Sequence, residues 1–173
     1  IGCHVSIAGG VWNAPKNAAD LGCEIFQIFM RSPQGGPAQE LKDFAVQKFR
    51  DEMQKYGFSE FVVHCPYYIN FGSANSRIYY GSVSVVRQEL ERASLLGGRY
   101  VVFHAGSGRD LGKSKAIKQV REGLKKVLDG YSGNAALLVE ITAGAGEILG
   151  DTFEEIAELM EPVKKHRGFA GVC

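Results

Sequence analysis

The feature that most constrains the fold is a regular alternation of short apolar runs with longer amphipathic segments. The apolar runs are rich in Val, Ile and Phe, and they read IGCHVS, CEIFQIFM, EFVVHCPY, YVVFHAG, ALLVEIT and GFAGVC. Their apolar character is continuous, which predicts strands that are buried on both faces. Because strands and helices alternate along the chain, the sequence predicts an α/β protein with a parallel sheet.

The segments between these runs carry helical patterns. Two apolar stripes at helical spacing each predict a helix. One stripe is Leu41, Ala45, Phe49, Met53 and Tyr56, and the other is Ile117, Val120, Leu124, Val127 and Leu128. Residues 76–96 predict a further helix that stops at the sequence LGG. A capping box from Thr152 to Glu155 predicts another helix, which runs towards His166.

The ends of four predicted strands are regularly spaced. Met30, His64, His104 and Glu140 are 34, 40 and 36 residues apart. A complete eight-stranded β/α barrel needs about 250 residues, or roughly 31 per unit. We therefore predict a (β/α)8 TIM barrel, of which this chain covers about five β-α units and the start of strand six. A doubly wound open sheet also fits the periodicity. The chain, residues 1–173, is expected to form a single, incomplete barrel domain.

Composition indicates the class of protein and its cellular compartment, but not its function. A hydrophobic content of 45% suits a globular core, and a net charge of +1 neither indicates nor excludes a nucleic-acid partner. No run approaches the 18 or so apolar residues of a membrane span. The four cysteines show no C-x-x-C spacing, which predicts reduced thiols in a cytosolic protein. We expect a cytoplasmic protein without a membrane partner.

Three neighbouring strands each end in a residue that zinc accepts as a ligand. These residues are His64, His104 and Glu140. In a barrel the carboxyl ends of the strands converge on one face, where active sites are built. Two imidazoles and a carboxylate leave a coordination position open for water, and a buried glutamate needs a cation or a donor. The sequence predicts a metal site there; the competing interpretation is core histidines satisfied by backbone carbonyls.

Two other histidines and a glycine-rich segment have weaker signals. His4, near the end of the first strand, fits either a residue that supports the metal site or contacts a phosphate, or a satisfied histidine on the rim. His166 lies in a basic helix end and is interpreted as structural. The glycines of ITAGAGEILG are spaced wrongly for a dinucleotide-binding loop, so they predict a turn after a barrel strand.

Four motifs in register, GCHVSIAGG, HCPYYINFG, FHAGSG and VEITAGAGEILG, resemble endonuclease IV, the family of zinc-dependent apurinic/apyrimidinic DNA-repair enzymes. The resemblance implies a (β/α)8 barrel with three zinc ions that hydrolyses the phosphodiester 5′ to an abasic site with zinc-activated hydroxide. It also implies that His64 and His104 bind the first zinc and that the catalytic Glu140 bridges the first and second. The implied partner is double-stranded DNA with abasic sites, bound by a complete protein that is a monomer.

The resemblance covers the whole chain, but the family's remaining zinc ligands follow the point at which this sequence ends. We therefore expect both ends to be incomplete and the chain to correspond to roughly the first five of eight β-α units. A barrel opened in this way has unpaired edge strands, which promote aggregation. Residues 1–173 alone are expected to lack hydrolytic activity.

The loops after the second and third strands are the expected DNA-binding elements. The resemblance implies that Tyr67 and the residue after it, Tyr68, penetrate the duplex at the lesion. Asn70 lies in the same loop and is also expected to bind DNA. Tyr68 stands where the family has leucine, although an aromatic ring can also wedge and stack. Gln34 stands where the family has a DNA-contacting arginine, so Arg31 is expected to replace that contact.

Three further basic residues are candidate DNA contacts, and two other functions fit the sequence. Arg77, Arg109 and Lys113 lie in upper loops and are further candidates for phosphate contacts. The tyrosines fit simple loop packing as well as DNA binding. The alternative functions are a metal-dependent sugar isomerase or epimerase of the same barrel type, and a non-catalytic DNA-binding fragment. The tyrosine pair beside His64 and the glycines after Glu140 favour DNA repair.

Overall fold

A computed structural model describes residues 1–173 and shows strands and helices in strict alternation. The strands are β1 (Gly2–His4), β2 (Ile25–Ile28), β3 (Phe61–His64), β4 (Tyr100–Phe103), β5 (Ala136–Val139) and β6 (Phe169–Val172). The helices are α1 (Ala14–Asp20), α2 (Asp43–Lys55), α3 (Ser76–Leu96), α4 (Lys113–Leu128) and α5 (Phe153–Met160). All six predicted strands are confirmed. No helix combines the length and the apolar character needed to cross a membrane.

The six strands form one parallel sheet in the order β1-β2-β3-β4-β5-β6. Each strand pairs with its neighbours in sequence, as in the wall of a β/α barrel. A doubly wound sheet would instead reverse its strand order at a switch point. The predicted barrel class is therefore confirmed, with five β-α units and a sixth strand.

The hydrophobic core lies between the outer face of the sheet and the helices. Helix α2 buries Ala45, Phe49 and Met53, which belong to the predicted stripe. All the predicted stripe residues of α4 are buried. The ring of Phe61 in β3 contacts that of Phe49 at 4.9 Å and that of Phe26 in β2 at 5.8 Å between centroids. Aromatic packing of this kind fixes helix α2 against the strands.

Local signals set the helix ends. Helix α3 has the predicted bounds, because the Asn75 side chain accepts two backbone N–H groups at its start and Gly97 adopts the left-handed conformation at its end. Thr152 caps α5 as predicted, by accepting the Glu155 N–H. However, α5 ends at Met160 and does not run towards His166. Pro162 follows, and it lacks the N–H that would continue the helix.

Candidate metal centre

Strand register aligns the predicted ligands. His64 is the last residue of β3, and His104 and Glu140 directly follow β4 and β5. His64 pairs with Val102 in β4, and Val102 pairs with Leu138 in β5. Since side chains alternate across a strand with a period of two, the residues two positions beyond Val102 and Leu138 share the face of His64. Those residues are His104 and Glu140, so the three side chains lie on the same, inner face of the sheet.

The structure brings the three side chains into one group. His64 Nε2 lies 2.8 Å from Glu140 Oε2, and His104 Nε2 lies 3.6 Å from the same oxygen. One ligand atom from each residue lies within 4.8 Å of the others. His64 is buried, whereas His104 and Glu140 are about one-third exposed, so the group opens to solvent on one side.

The hydrogen bonds of His64 determine which of its nitrogen atoms faces Glu140. His64 Nδ1 lies 2.6 Å from the Cys65 carbonyl oxygen, which can only accept, so Nδ1 carries the proton. In the neutral ring Nε2 then presents a lone pair to the carboxylate of Glu140. Two acceptors 2.8 Å apart repel each other unless a proton or a metal ion lies between them. The N₂O donor set and the fixed tautomer fit zinc.

The protonation of His104 is compatible with metal binding. Burial lowers the pKa of His104; the Glu140 carboxylate opposes this effect and His64 reinforces it. The lowered pKa keeps the imidazole neutral near pH 7, which is the form that binds metals.

His4 and His166 lie outside the group. His4 Nδ1 is 3.1 Å from Gln27 Nε2, and its ring stacks on Phe29 at 4.1 Å. Phe29 in turn packs edge-on against His64 at 5.4 Å, so His4 supports the packing behind a candidate ligand. His166 Nδ1 accepts the Gly168 N–H at 3.0 Å, in agreement with a structural role.

The two tyrosines flank the group of His64, His104 and Glu140. A cavity of about 760 Å³ is lined by Tyr67, Tyr68, Asn70, His104 and Glu140, together with residues of the glycine-rich segment. The side chain of Tyr67 is 64% exposed, and its ring edge packs against Phe29 at 5.1 Å between centroids. An exposed aromatic ring supported on one edge can stack on a base without repacking the core.

The structure corrects the prediction for Arg31. Its side chain is 5% exposed, because Nε donates to Glu89 Oε1 at 2.7 Å and Nη2 donates to Gln88 Oε1 at 3.1 Å. Arg92 completes the cluster with hydrogen bonds to the Met30 and Gln39 carbonyls. A guanidinium neutralised inside the protein cannot reach a phosphate, so Arg31 does not replace the missing DNA contact.

Lys113 also forms ion pairs within the protein. Its Nζ lies 3.0 Å from Asp151 Oδ1 and 2.7 Å from Glu155 Oε1, so it ties α4 to the start of α5. Arg77 and Arg109 are exposed and form no ion pair. Arg77 is the second residue of α3 and Lys113 the first of α4, so only Arg109 lies in a loop, as expected for all three.

Sequence reasoning missed Glu89, which is fully buried in α3. A signal was available, because Glu89 shares one helical face with the buried Val86, Leu90 and Ala93. A carboxylate in an apolar stripe requires a cationic partner. The partner, Arg31, lies 58 residues earlier in the chain, and only the fold brings the two together.

Comparison with known proteins agrees with the fold. The family model of the xylose isomerase-like TIM barrel matches residues 15–173. The chain therefore belongs to the xylose isomerase-like TIM-barrel family.

Several proteins of similar sequence are named as probable endonucleases. The chain is 32% identical to the "probable endonuclease 4" of Halothermothrix orenii and 34% identical to that of Bacillus subtilis. Both alignments cover the whole chain but 62% and 59% of those proteins, so the chain spans about 60% of the length of the curated relatives it matches. The resemblance to endonuclease IV is confirmed.

Solved structures give the same result. Endonuclease IV from Thermus thermophilus superposes with a TM-score of 0.84 at 37% identity, covering 98% of this chain and 60% of that protein. A D-psicose 3-epimerase superposes with a TM-score of 0.76 at 14% identity, covering 98% of this chain and 61% of that one. At such low identity the epimerase shows a shared fold alone.

Proposed function

We propose that this chain is the amino-terminal part of a zinc-dependent apurinic/apyrimidinic endonuclease, which hydrolyses the phosphodiester 5′ to an abasic site. The observation that carries this proposal is the convergence of His64 Nε2 and His104 Nε2 on one carboxylate oxygen of Glu140. The endonuclease 4 relatives and the tyrosines beside the group support the assignment of substrate. In this proposal residues 1–173 form one incomplete barrel domain.

The chain's own residues would hold the metal. His64 and His104 would supply their Nε2 atoms, and the Cys65 carbonyl fixes the His64 ring by accepting from Nδ1. Glu140 would complete this set with its carboxylate, whose Oε2 lies beside the two imidazoles. When bound, zinc supplies Lewis acidity towards phosphate oxygens and lowers the pKa of water. We propose three zinc ions, of which this chain provides the ligands of the first and the bridging carboxylate.

The DNA would lie over the tyrosine loop. Tyr67 and Tyr68 line the same cavity as His104 and Glu140, so a ring inserted into the duplex would place the adjacent phosphate near the metal ligands. Unpairing costs least at a damaged site, which favours an abasic nucleotide over intact duplex. The exposed Arg77 and Arg109 would contact the backbone.

The decisive experiment measures zinc content and cleavage of an abasic duplex in the complete protein. The variant is His104→Ala, and the matched control is His166→Ala, which removes a histidine outside the group. We expect His104→Ala to lose zinc and most of its cleavage, while the control retains both. Unchanged zinc and cleavage in His104→Ala would contradict the proposal.

A substrate comparison separates the proposal from the sugar isomerase alternative. The same preparation is assayed with an abasic duplex and with a panel of aldoses and ketoses. Cleavage of the duplex without sugar interconversion is expected, and the reverse pattern would favour the isomerase. Duplex binding without either reaction would indicate the DNA-binding fragment.

A further inference from the structure

The loop that carries the tyrosines is joined to the loop after His104 by one side chain. Asn70 Oδ1 accepts the Gly72 N–H at 3.0 Å within its own loop and the Ser107 N–H at 2.9 Å in the next loop. The Asn70 backbone N–H donates to Ser82 Oγ in α3 at 2.9 Å. The amide oxygen therefore faces two donors, and no protein acceptor is bonded to the Asn70 side-chain nitrogen.

The two loops touch so closely that glycine is required on both sides. Gly106 has a φ of +101°, and a Cβ built there would overlap Asn70 Oδ1. A Cβ at Gly72 would overlap the Ser107 carbonyl oxygen. The Phe71 N–H also donates to the Ala105 carbonyl at 3.1 Å, so main chain meets main chain across this contact.

The connection continues to the loop after Glu140. Ser107 and Ile148 form an isolated antiparallel bridge, in which the Gly108 N–H donates to Glu147 at 2.7 Å and the Leu149 N–H donates to Gly106 at 2.9 Å. The loops that follow β3, β4 and β5 thus form one hydrogen-bonded unit, which we name the rim unit. Between the first two of its loops, Asn70 supplies the shortest side-chain bond, of 2.9 Å to the Ser107 N–H, while Asp110 adds contacts of 3.3 and 3.4 Å.

We propose that Asn70 is a positioning residue: through Oδ1 it sets Tyr67 relative to His104, instead of contacting DNA through its amide nitrogen. The part of this inference that concerns DNA binding rests on the proposed function. The geometry of the oxygen supports it, because both hydrogen bonds of Oδ1 are made within the protein. An acceptor at this point holds two loops in one arrangement before DNA binds, which reduces the ordering cost of binding.

The first test follows amide hydrogen exchange at Gly72 and Ser107 and needs no DNA. Asn70→Leu removes the acceptor, whereas Asn70→Asp keeps it and removes the amide donor. We expect exchange about tenfold faster at both amides in Asn70→Leu, and within about twofold of wild type in Asn70→Asp. Asn75→Ala is the matched control, since Asn75 Oδ1 also accepts two N–H groups but within its own helix. Wild-type exchange at Ser107 in Asn70→Leu would overturn the proposal.

The second test asks whether Asn70 acts through Tyr67. Binding of abasic duplex is measured for wild type, Asn70→Leu, Tyr67→Ala and the double variant. A positioning role predicts that Asn70→Leu weakens binding about tenfold in the presence of Tyr67 and by less than about twofold in its absence. Equal losses in both backgrounds would show a direct DNA contact and overturn the proposal. If wild type binds no abasic duplex, the proposed function fails, while the exchange measurement still decides the role of Asn70.

Discussion

Charged or metal-binding side chains lie close to the end of β2 and to the ends of β3 to β5, yet the two regions use them differently. At β2, Arg31 is paired with Glu89 inside the protein, and Arg92 holds two loop carbonyls beside them. At β3 to β5, two imidazoles and a carboxylate meet, and no lysine or arginine of the chain pairs with them. A strand-end charge is therefore structural where the chain supplies its partner and available for function where it does not.

The largest expected difference between the two regions is in stability. Glu89→Gln leaves the buried guanidinium of Arg31 without its counter-charge and should lower the free energy of unfolding by about 3–5 kcal/mol. Glu140→Gln, the matched variant, removes no partner of an arginine or lysine and should change it by less than about 1 kcal/mol without metal. Urea unfolding with a chelator present measures both. Equal losses would show that the Glu140 cluster is itself a structural ion pair.

The second effect concerns DNA. Tyr67→Ala should weaken binding to an abasic duplex by about 1–3 kcal/mol, the usual worth of a stacked base, without changing zinc content. Tyr80→Ala is the control, because Tyr80 is similarly exposed but lies on α3 and packs against Tyr79. Binding titrations and metal analysis are carried out on both variants. Intact binding together with lost zinc would instead make Tyr67 a support for the metal group.

A smaller effect separates free from occupied basic residues. Arg109 forms no ion pair. Arg109→Ala should therefore reduce the slope of log affinity against log salt concentration by about 1, the contribution of one phosphate contact. Lys113→Ala should leave that slope unchanged, because the lysine is held by Asp151 and Glu155. Affinities measured over a range of salt concentrations give the slopes. A lower slope for Lys113→Ala would show that its ion pairs open when DNA binds.

The smallest expected signal comes from Cys65, which lies between the two regions. Burial raises the pKa of the Cys65 thiol well above its ordinary value, and the nearby Glu89 carboxylate acts in the same direction. The reactive thiolate of Cys65 should therefore not form in the folded protein as the pH rises from 7 to 9. The contact with Cys23 raises the pKa of Cys3 as well, but Cys3 is exposed, so it should react before Cys65 because the reagent can reach it. Thiol titration with an aromatic disulfide reagent, before and after unfolding, counts the groups. Reaction of Cys65 in the folded state would reveal opening of the site.

The sequence predicted the features that depend on local pattern. Apolar runs and helical stripes are local, so all six strands and the bounds of α3 could be predicted from them. The convergence of His64, His104 and Glu140 could also be predicted, since parallel strand ends share one face. The ion pair of Arg31 could not, because its partner is separated by 58 residues and comes near only in the folded chain. The same reason applies to the bond between Asn70 and Ser107.

The rim unit also limits how this protein can change. Gly72, Gly106 and Asn70 fit one another across two loops, so a length change in either loop would break contacts in both. The loop after β2 is held differently, because Arg92 binds carbonyls near its two ends, those of Met30 and Gln39, and the residues between them can vary. Insertions and substitutions should therefore be tolerated in the β2 loop first. Under the proposed function, new nucleic-acid preferences would arise most readily there, while the side of the rim that carries His104 and Glu140 stays fixed.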